Sequence, residues 1–226
     1  MQSFVHSALA AVLLLAVLPA LSTAQESGNF VGVISGSVQL SGDPTTIAGP
    51  DGFATSGYKP ETGLAVNAFV GRHLREYVTL QVNYTWNQND LAFFAARGTP
   101  SESRFYEQPL STTHHTFIGD LLVYFRERSS RIRPYLSAGL GLLHLTGERR
   151  PGGVDGGLSP PSTVFATTEF TTRVAVGADV RVADGWRIRY SFSENLGPNP
   201  LSRRLDPQGT RGLMNFQNLV GVMREF

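Results

Sequence analysis

YVTLQVNYTWN (Tyr77–Asn87) alternates without a break. Val78, Leu80, Val82, Tyr84 and Trp86 fall on one side of an extended chain; Thr79, Gln81, Asn83, Thr85 and Asn87 fall on the other. A helix would spread the same residues around its axis, so this period of two reads as a strand with one apolar face. The pattern recurs at Phe170–Val182, where Phe170, Thr172, Val174, Val176, Ala178, Val180 and Val182 oppose Thr171, Arg173, Gly177, Asp179 and Arg181. It recurs again at Trp186–Asn195, with Trp186, Ile188, Tyr190 and Phe192 against Arg187, Arg189, Ser191, Ser193 and Asn195, and at Pro134–Leu143. Weaker copies at Phe30–Leu40, Gly63–Arg72, Thr113–Phe125 and Leu213–Phe226 bring the expected total to eight strands.

Composition agrees with an all-β chain. The 226 residues include 24 Gly and 13 Pro, and only one of the 19 basic residues, Lys59, is lysine. A net charge of +1 and 16% charged residues exclude a basic nucleic-acid binder and an acidic tail. The absence of cysteine excludes disulfide scaffolds, thiolate metal sites, cysteine nucleophiles and lipidation at an N-terminal cysteine. Beyond the N-terminus no apolar run approaches the roughly 20 residues of a membrane-spanning helix.

The connections alternate in length. Tight turns are expected near His73, Glu127–Ser130 and Ala183–Gly185, and long loops at Ser41–Pro60, Gln88–Thr112, Gly147–Ser162 and Leu196–Thr210. An up-and-down barrel gathers all long loops at one end and all short turns at the other, the layout of a transmembrane barrel. The polar face carries Gln, Asn, Asp and Arg on strand after strand, too many charges for the dry calyx of a soluble barrel. The apolar face, nearly uncharged over eight to ten residues, matches a lipid-facing band about 25 Å tall. Trp86 and Trp186 lie on it at opposite ends and are expected to be membrane-interface anchors.

At the N-terminus, Ala8–Leu18 forms an apolar run followed by Pro19, with Ser22 and Ala24 at −3 and −1 to a cut before Gln25. Residues 1–24 therefore read as a cleaved signal peptide, without a lysine or arginine ahead of the apolar run, and residues 25–226 as one barrel domain.

The chain stops at Phe226, on the apolar face with Val222, Val220, Phe216 and Met214. A last strand of this kind resembles the assembly signal of bacterial outer-membrane barrels. With RPYLSAGLGL (Arg133–Leu142), the mature chain is similar to the small OmpA/OmpX/OmpW-like outer-membrane β-barrel domains. Arg224 departs from the usual aromatic or apolar third-from-last residue. The resemblance implies an eight-stranded antiparallel barrel in the outer membrane, both termini at the periplasmic end and long loops outside. It also implies insertion by the barrel-assembly machinery. A peptidoglycan-binding module of OmpA type is not expected. Outer-membrane lipid and the assembly machinery are the expected partners of a monomeric chain that takes no nucleic acid.

The inward face should carry Asp120, Arg173, Asp179, Arg181, Arg187 and Arg189. An eight-stranded barrel is just wide enough for its own side chains, so opposite charges there read as a plug rather than a selectivity path. Counting across the Ala183–Gly185 turn pairs Val182 with Trp186, which sets Asp179 opposite Arg189 and Arg181 opposite Arg187. His144, Thr146 and Glu148 are the one catalytic alternative. A histidine beside a hydroxyl on the lipid face resembles the H-x-S of barrel-type lipid A deacylases, with Thr in place of Ser. His114 and His115 are adjacent, point to opposite faces and cannot chelate one ion. Phe93-Phe94 and Phe105-Tyr106 should pack the second long loop on itself or form a contact surface. No phosphate-binding glycine motif, metal site or cofactor is expected. The expected role is non-enzymatic, structural or surface-contacting, with a lipid A-modifying enzyme and an OmpW-like small-solute transporter as alternatives.

Overall fold

Backbone groups that cross a bilayer must pair within the protein, so a sheet that crosses has to close on itself. The computed structural model describes residues 28–50, 52–99 and 102–226; the signal peptide expected over residues 1–24 lies outside them. Eleven strands occur among the described residues: β1 (Asn29–Leu40), β2 (Thr45–Gly49), β3 (Gly52–Pro60), β4 (Gly63–His73), β5 (Val78–Thr99), β6 (Glu102–Tyr124), β7 (Ile132–Arg149), β8 (Val154–Gly156), β9 (Phe165–Ala183), β10 (Trp186–Gly197) and β11 (Leu213–Glu225). Eight of them close a ring of antiparallel pairs in the order β1–β4–β5–β6–β7–β9–β10–β11, with β11 returning to β1.

The register puts the apolar face outside. Leu80, Val82, Phe117 and Leu140 are each half exposed, at 50%, 52%, 57% and 59%, while their neighbours Gln81 and Asn83 are buried at 5% and 1%. The inner wall is not uniformly polar. Phe30, Ile34, Val38, Ala65, Phe69, Leu219 and Met223 line an apolar stretch on β1, β4 and β11. Polar and charged side chains project from the opposite wall.

Three of the four expected long loops contain strand structure. β5 continues through residues 88–99 and β6 begins at residue 102, so the second loop is a hairpin rising from the barrel. The first loop folds into β2 and β3, and β3 pairs with the upper part of β5 from Phe53↔Gly98 to Pro60↔Leu91. β3 thus continues the column that β4 begins, since Leu64 pairs with Gln88 just below. In the third loop β8 pairs with Tyr106 and Glu107 of β6. The fourth carries a short 3-10 turn, Ser202–Arg204.

The strands run beyond their expected ends because the apolar face changes sides. On β5 the inward positions are polar up to Asn89 and then become Leu91, Phe93 and Ala95, all buried. Gln88 and Asp90 point outward where Val82 and Trp86 did lower down. A strand whose polarity inverts midway looks like a strand followed by a loop.

The turn between β9 and β10 also differs in one pair. Arg189 pairs with Asp179 and Arg187 with Arg181, but Trp186 pairs with Ala183 rather than Val182. A register shift between Trp186 and Arg187 absorbs the extra residue, and Gly185 sits at φ +67°, where a side chain would be strained.

Candidate functional site

Inside the barrel four of the expected charges, Asp120, Arg173, Asp179 and Arg189, occupy one layer near the short-turn end. Arg189 is fully buried and donates through Nε and Nη2 to both oxygens of Asp179, at 2.6 and 2.8 Å. It also reaches Tyr124 Oη at 2.8 Å and Gln81 Oε1 at 2.5 Å, while the Tyr124 hydroxyl donates to Asp179 Oδ2 at 2.7 Å. Gln81 donates to Asn83, and Asn83 donates to Asp120 Oδ2 at 2.9 Å. Arg173 reaches the same Asp120 oxygen at 3.1 Å. The Arg189 guanidinium also lies 4.5 Å from the Phe69 ring centre, so the apolar wall and the polar wall meet on this one group.

Below this layer Arg187 donates to Glu225 Oε1 at 2.9 Å, and His73 lies 3.3 Å from the same oxygen. Arg181 and Arg187, opposite one another, both donate to the carbonyl of Arg128, at 2.8 and 2.9 Å. The acid and the carbonyl relieve the repulsion that a facing arginine pair would otherwise carry. Arg133, also buried, stacks on Tyr124 with its guanidinium 3.8 Å from the ring centre.

Above the charges runs a belt of amides and hydroxyls. It includes Asn67, Asn87, Thr116, Asn195 and Asn215, all buried. A cavity of ≈ 10 Å³ beside Asn195 and Asn215 has room for about one water. Above that the interior turns apolar. Leu40, Tyr58, Leu91, Phe93, Tyr106, Leu110, Leu143, Leu145, Phe165, Leu201, Leu205 and Leu213 form one buried cluster that closes the long-loop end. The fourth loop supplies Leu201 and Leu205 and is tied down by Asn199 Nδ2 to Tyr58 Oη at 3.0 Å and by Ser202 Oγ to Asp43 Oδ2 at 2.7 Å. Burial pushes the phenols of Tyr58 and Tyr106 up to about 12.

Sequence reasoning reached the six charges but missed Gln81, Asn83, Tyr124, Tyr135, Arg133, His73 and Glu225, which satisfy or surround them. Their inward parity was legible; their partners on distant strands were not. Leu201 and Leu205 gave no periodic signal, because a capping loop has none.

On the outer surface Trp86 and Trp186 both point outward, Trp186 at the short-turn end beside the C-terminal strand. Phe216, Val220, Val222 and Phe226 share that outward face on and just after β11. Arg224 lies 5.5 Å from the ring centres of both Trp186 and Phe226, which gives the departing residue an aromatic seat.

His144 and Thr146 of the catalytic alternative have separate hydrogen-bond partners. His144, Thr146 and Glu148 share the outward face, but His144 Nδ1 contacts Thr168 Oγ1 at 2.9 Å, and the Thr146 hydroxyl donates to the Thr113 carbonyl at 3.4 Å. His114 points inward and is fully buried, and His115 points outward. Directly opposite His115 on the next strand is His144.

The family described as "Outer membrane protein beta-barrel domain" matches residues 7–204. The chain belongs to this family. Among solved structures, this outer-membrane barrel is similar to Neisserial surface protein A (NspA), with 14% identity over 88% of this chain and 98% of that one, at a TM-score of 0.51. OprG from Pseudomonas aeruginosa shares 11% identity over 90% of this chain and 98% of its own, with a TM-score of 0.47. AlkL shares 14% over 92% and 94%, also at 0.47. A search of curated protein sequences finds no match. Family membership places the barrel in a bacterial outer membrane, and its outward apolar band meets lipid there.

Proposed function

We propose that this barrel is a non-enzymatic surface-contact protein whose long-loop end faces the cell exterior. One observation carries the reading: the interior is filled at two levels, while the long-loop end is built largely of paired strands rather than free loops. That sheet presents an open cleft of ≈ 590 Å³ lined by Ile47, Phe53, Leu158, Arg97 and Arg104, among others. Ile47 and Phe53 are 60% and 43% exposed and, with the two arginines, give the cleft a mixed apolar and basic lining available for a contact. The filled interior supports a structural lumen over a conducting one, and the engagement of His144 Nδ1 by Thr168 rather than by Thr146 supports a non-hydrolytic role.

The absence of native cysteine makes the test clean. In intact cells, Ile47→Cys should react with a membrane-impermeant maleimide and Asp184→Cys, in a short turn, should not. The purified barrel should show no single-channel steps in a planar bilayer and should release no acyl chain from lipid A. Labelling at Asp184→Cys alone would invert the topology. Regular conductance steps would return the transporter alternative, and acyl release lost in His144→Ala would return the enzyme.

A further inference from the structure

Four outward side chains line up across four consecutive strands at the upper edge of the apolar band: Tyr84 on β5, His115 on β6, His144 on β7 and Thr168 on β9. Below the histidines lie Phe117 and Leu142, both more than half exposed, and above them Thr113 and Thr146. His115 and His144 are direct cross-strand partners, a position that sets two Cβ atoms roughly 4.5–5.5 Å apart. Adjacent histidines in one strand cannot share an ion, but two histidines across a ladder can.

Each ring is held by its Nδ1. Tyr84 Oη lies 2.8 Å from Nδ1 of His115, and Thr168 Oγ1 lies 2.9 Å from Nδ1 of His144. Tyr84 approaches from the side away from β7, and Thr168 from the side away from β6. The two Nδ1 edges are thus engaged from opposite sides, which leaves the Nε2 edges as the ones that can share an ion across the ladder. When Nδ1–H donates to the hydroxyl oxygen, the tautomer keeps the Nε2 lone pair for a metal, the arrangement found behind metal-bound histidines, and ion binding at Nε2 selects that tautomer.

We propose that His115 and His144 form a two-imidazole site for a divalent transition-metal ion, Cu²⁺ foremost, on the outer surface of the barrel. Among the described residues no group of three or more His, Cys, Asp or Glu side chains converges. Two ligands come from the chain, and water completes the sphere. Such a short ligand set favours the ion with the strongest intrinsic affinity for imidazole, which is Cu²⁺ in the divalent series. The site is independent of what the long loops contact.

Trp86 is the direct partner of His115 on β5, so it reports the site, and Trp186 lies at the far end of the barrel. The test uses the full chain folded in detergent without a histidine tag, in a Trp186→Phe background, titrated with CuCl₂. Saturable one-to-one quenching of Trp86 is expected, reversed by EDTA and weaker with Zn²⁺ in place of Cu²⁺. His115→Ala and His144→Ala should each weaken it at least about tenfold, and Thr168→Val about tenfold through the lost tautomer constraint. A Trp86→Phe chain that retains Trp186 should show no quenching in the same range. Heat-modifiable gel migration checks that each variant is folded. Unchanged quenching in either histidine variant, or equal quenching of Trp186, overturns the site.

Discussion

The barrel has two storeys built on opposite rules. Around the lipid-facing band, Leu80, Val82, Phe117 and Leu140 point out, and Gln81, Asn83, Asp120, Arg173, Asp179 and Arg189 point in. One storey higher on the same strands, Leu91, Phe93, Tyr106, Leu110 and Leu145 point in, while Gln88, Asp90, Glu107 and Glu148 point out. The ladder runs through the boundary without a break, from Val78↔Val123 to Thr99↔Glu102 on β5 and β6. Backbone geometry is therefore indifferent to the change; the solvent outside decides it. Lipid accepts apolar side chains, so the polar ones collect inside and pair. Water removes that advantage, and the upper storey packs as a soluble protein does. The apolar wall of Phe30, Ile34 and Phe69 shows that the lower interior is not a simple inversion. Lipid requires an apolar exterior and leaves the interior free to mix.

The largest expected effect lies in the lower storey. Arg189→Ala would leave Asp179 buried without its cation, and breaking such a pair costs about 3–5 kcal/mol. The urea midpoint of the barrel in micelles should fall accordingly. An Arg189→Met, Asp179→Leu double variant should recover much of the loss. No recovery would mean that Gln81 and Tyr124, not the ion pair, hold the layer together.

In the upper storey Leu205→Ala removes a fully packed side chain, a change worth about 2–5 kcal/mol. Here the loss should stay local. Limited proteolysis should open residues 196–212 while the global midpoint hardly moves, because the ring closes without that loop. A matching drop in the midpoint would show that the two storeys unfold as one.

Gly139→Ala tests the boundary of the charged layer. A Cβ there would fall 1.9 Å from Asp120 Oδ1 and 2.5 Å from the Gly119 carbonyl. Overpacking of this kind costs about 1–3 kcal/mol. Adding Asp120→Asn should not relieve it, whereas Asp120→Ala, which by itself unpairs the buried Arg173, should show relief of the side-chain part as a coupling in the double-mutant cycle.

The smallest effect is a titration. The Tyr58 phenol, held up to about 12 by burial, keeps its proton in the folded cap after the unfolded chain has lost it near 10. Its contribution to cap stability is full below the unfolded value and disappears as pH rises through about 12. The difference in phenolate absorbance between the wild type and Tyr58→Phe should appear near pH 12; a step near 10 would mean the cap is open to water.

Strand period, face polarity and the alternation of short and long connections made the eight-membered ring readable from residues alone, since each is local and repeats. Parity sent Arg173 and Arg187 inward, and the count across one short turn placed Asp179 opposite Arg189. The sequence could not show where the membrane ends along a strand. β5 therefore appeared to stop at Asn87 when it runs to Thr99, and a rising sheet read as a loop. Nor could it show contacts between strands far apart in the chain. Glu225 beside Arg187, Leu201 over the barrel mouth, and His115 facing His144 rather than Thr146 serving His144 all depend on which strands lie side by side and in what register. A local pattern fixes which way a side chain points, whereas its partner is set by closure of the ring, and that is a property of the whole chain.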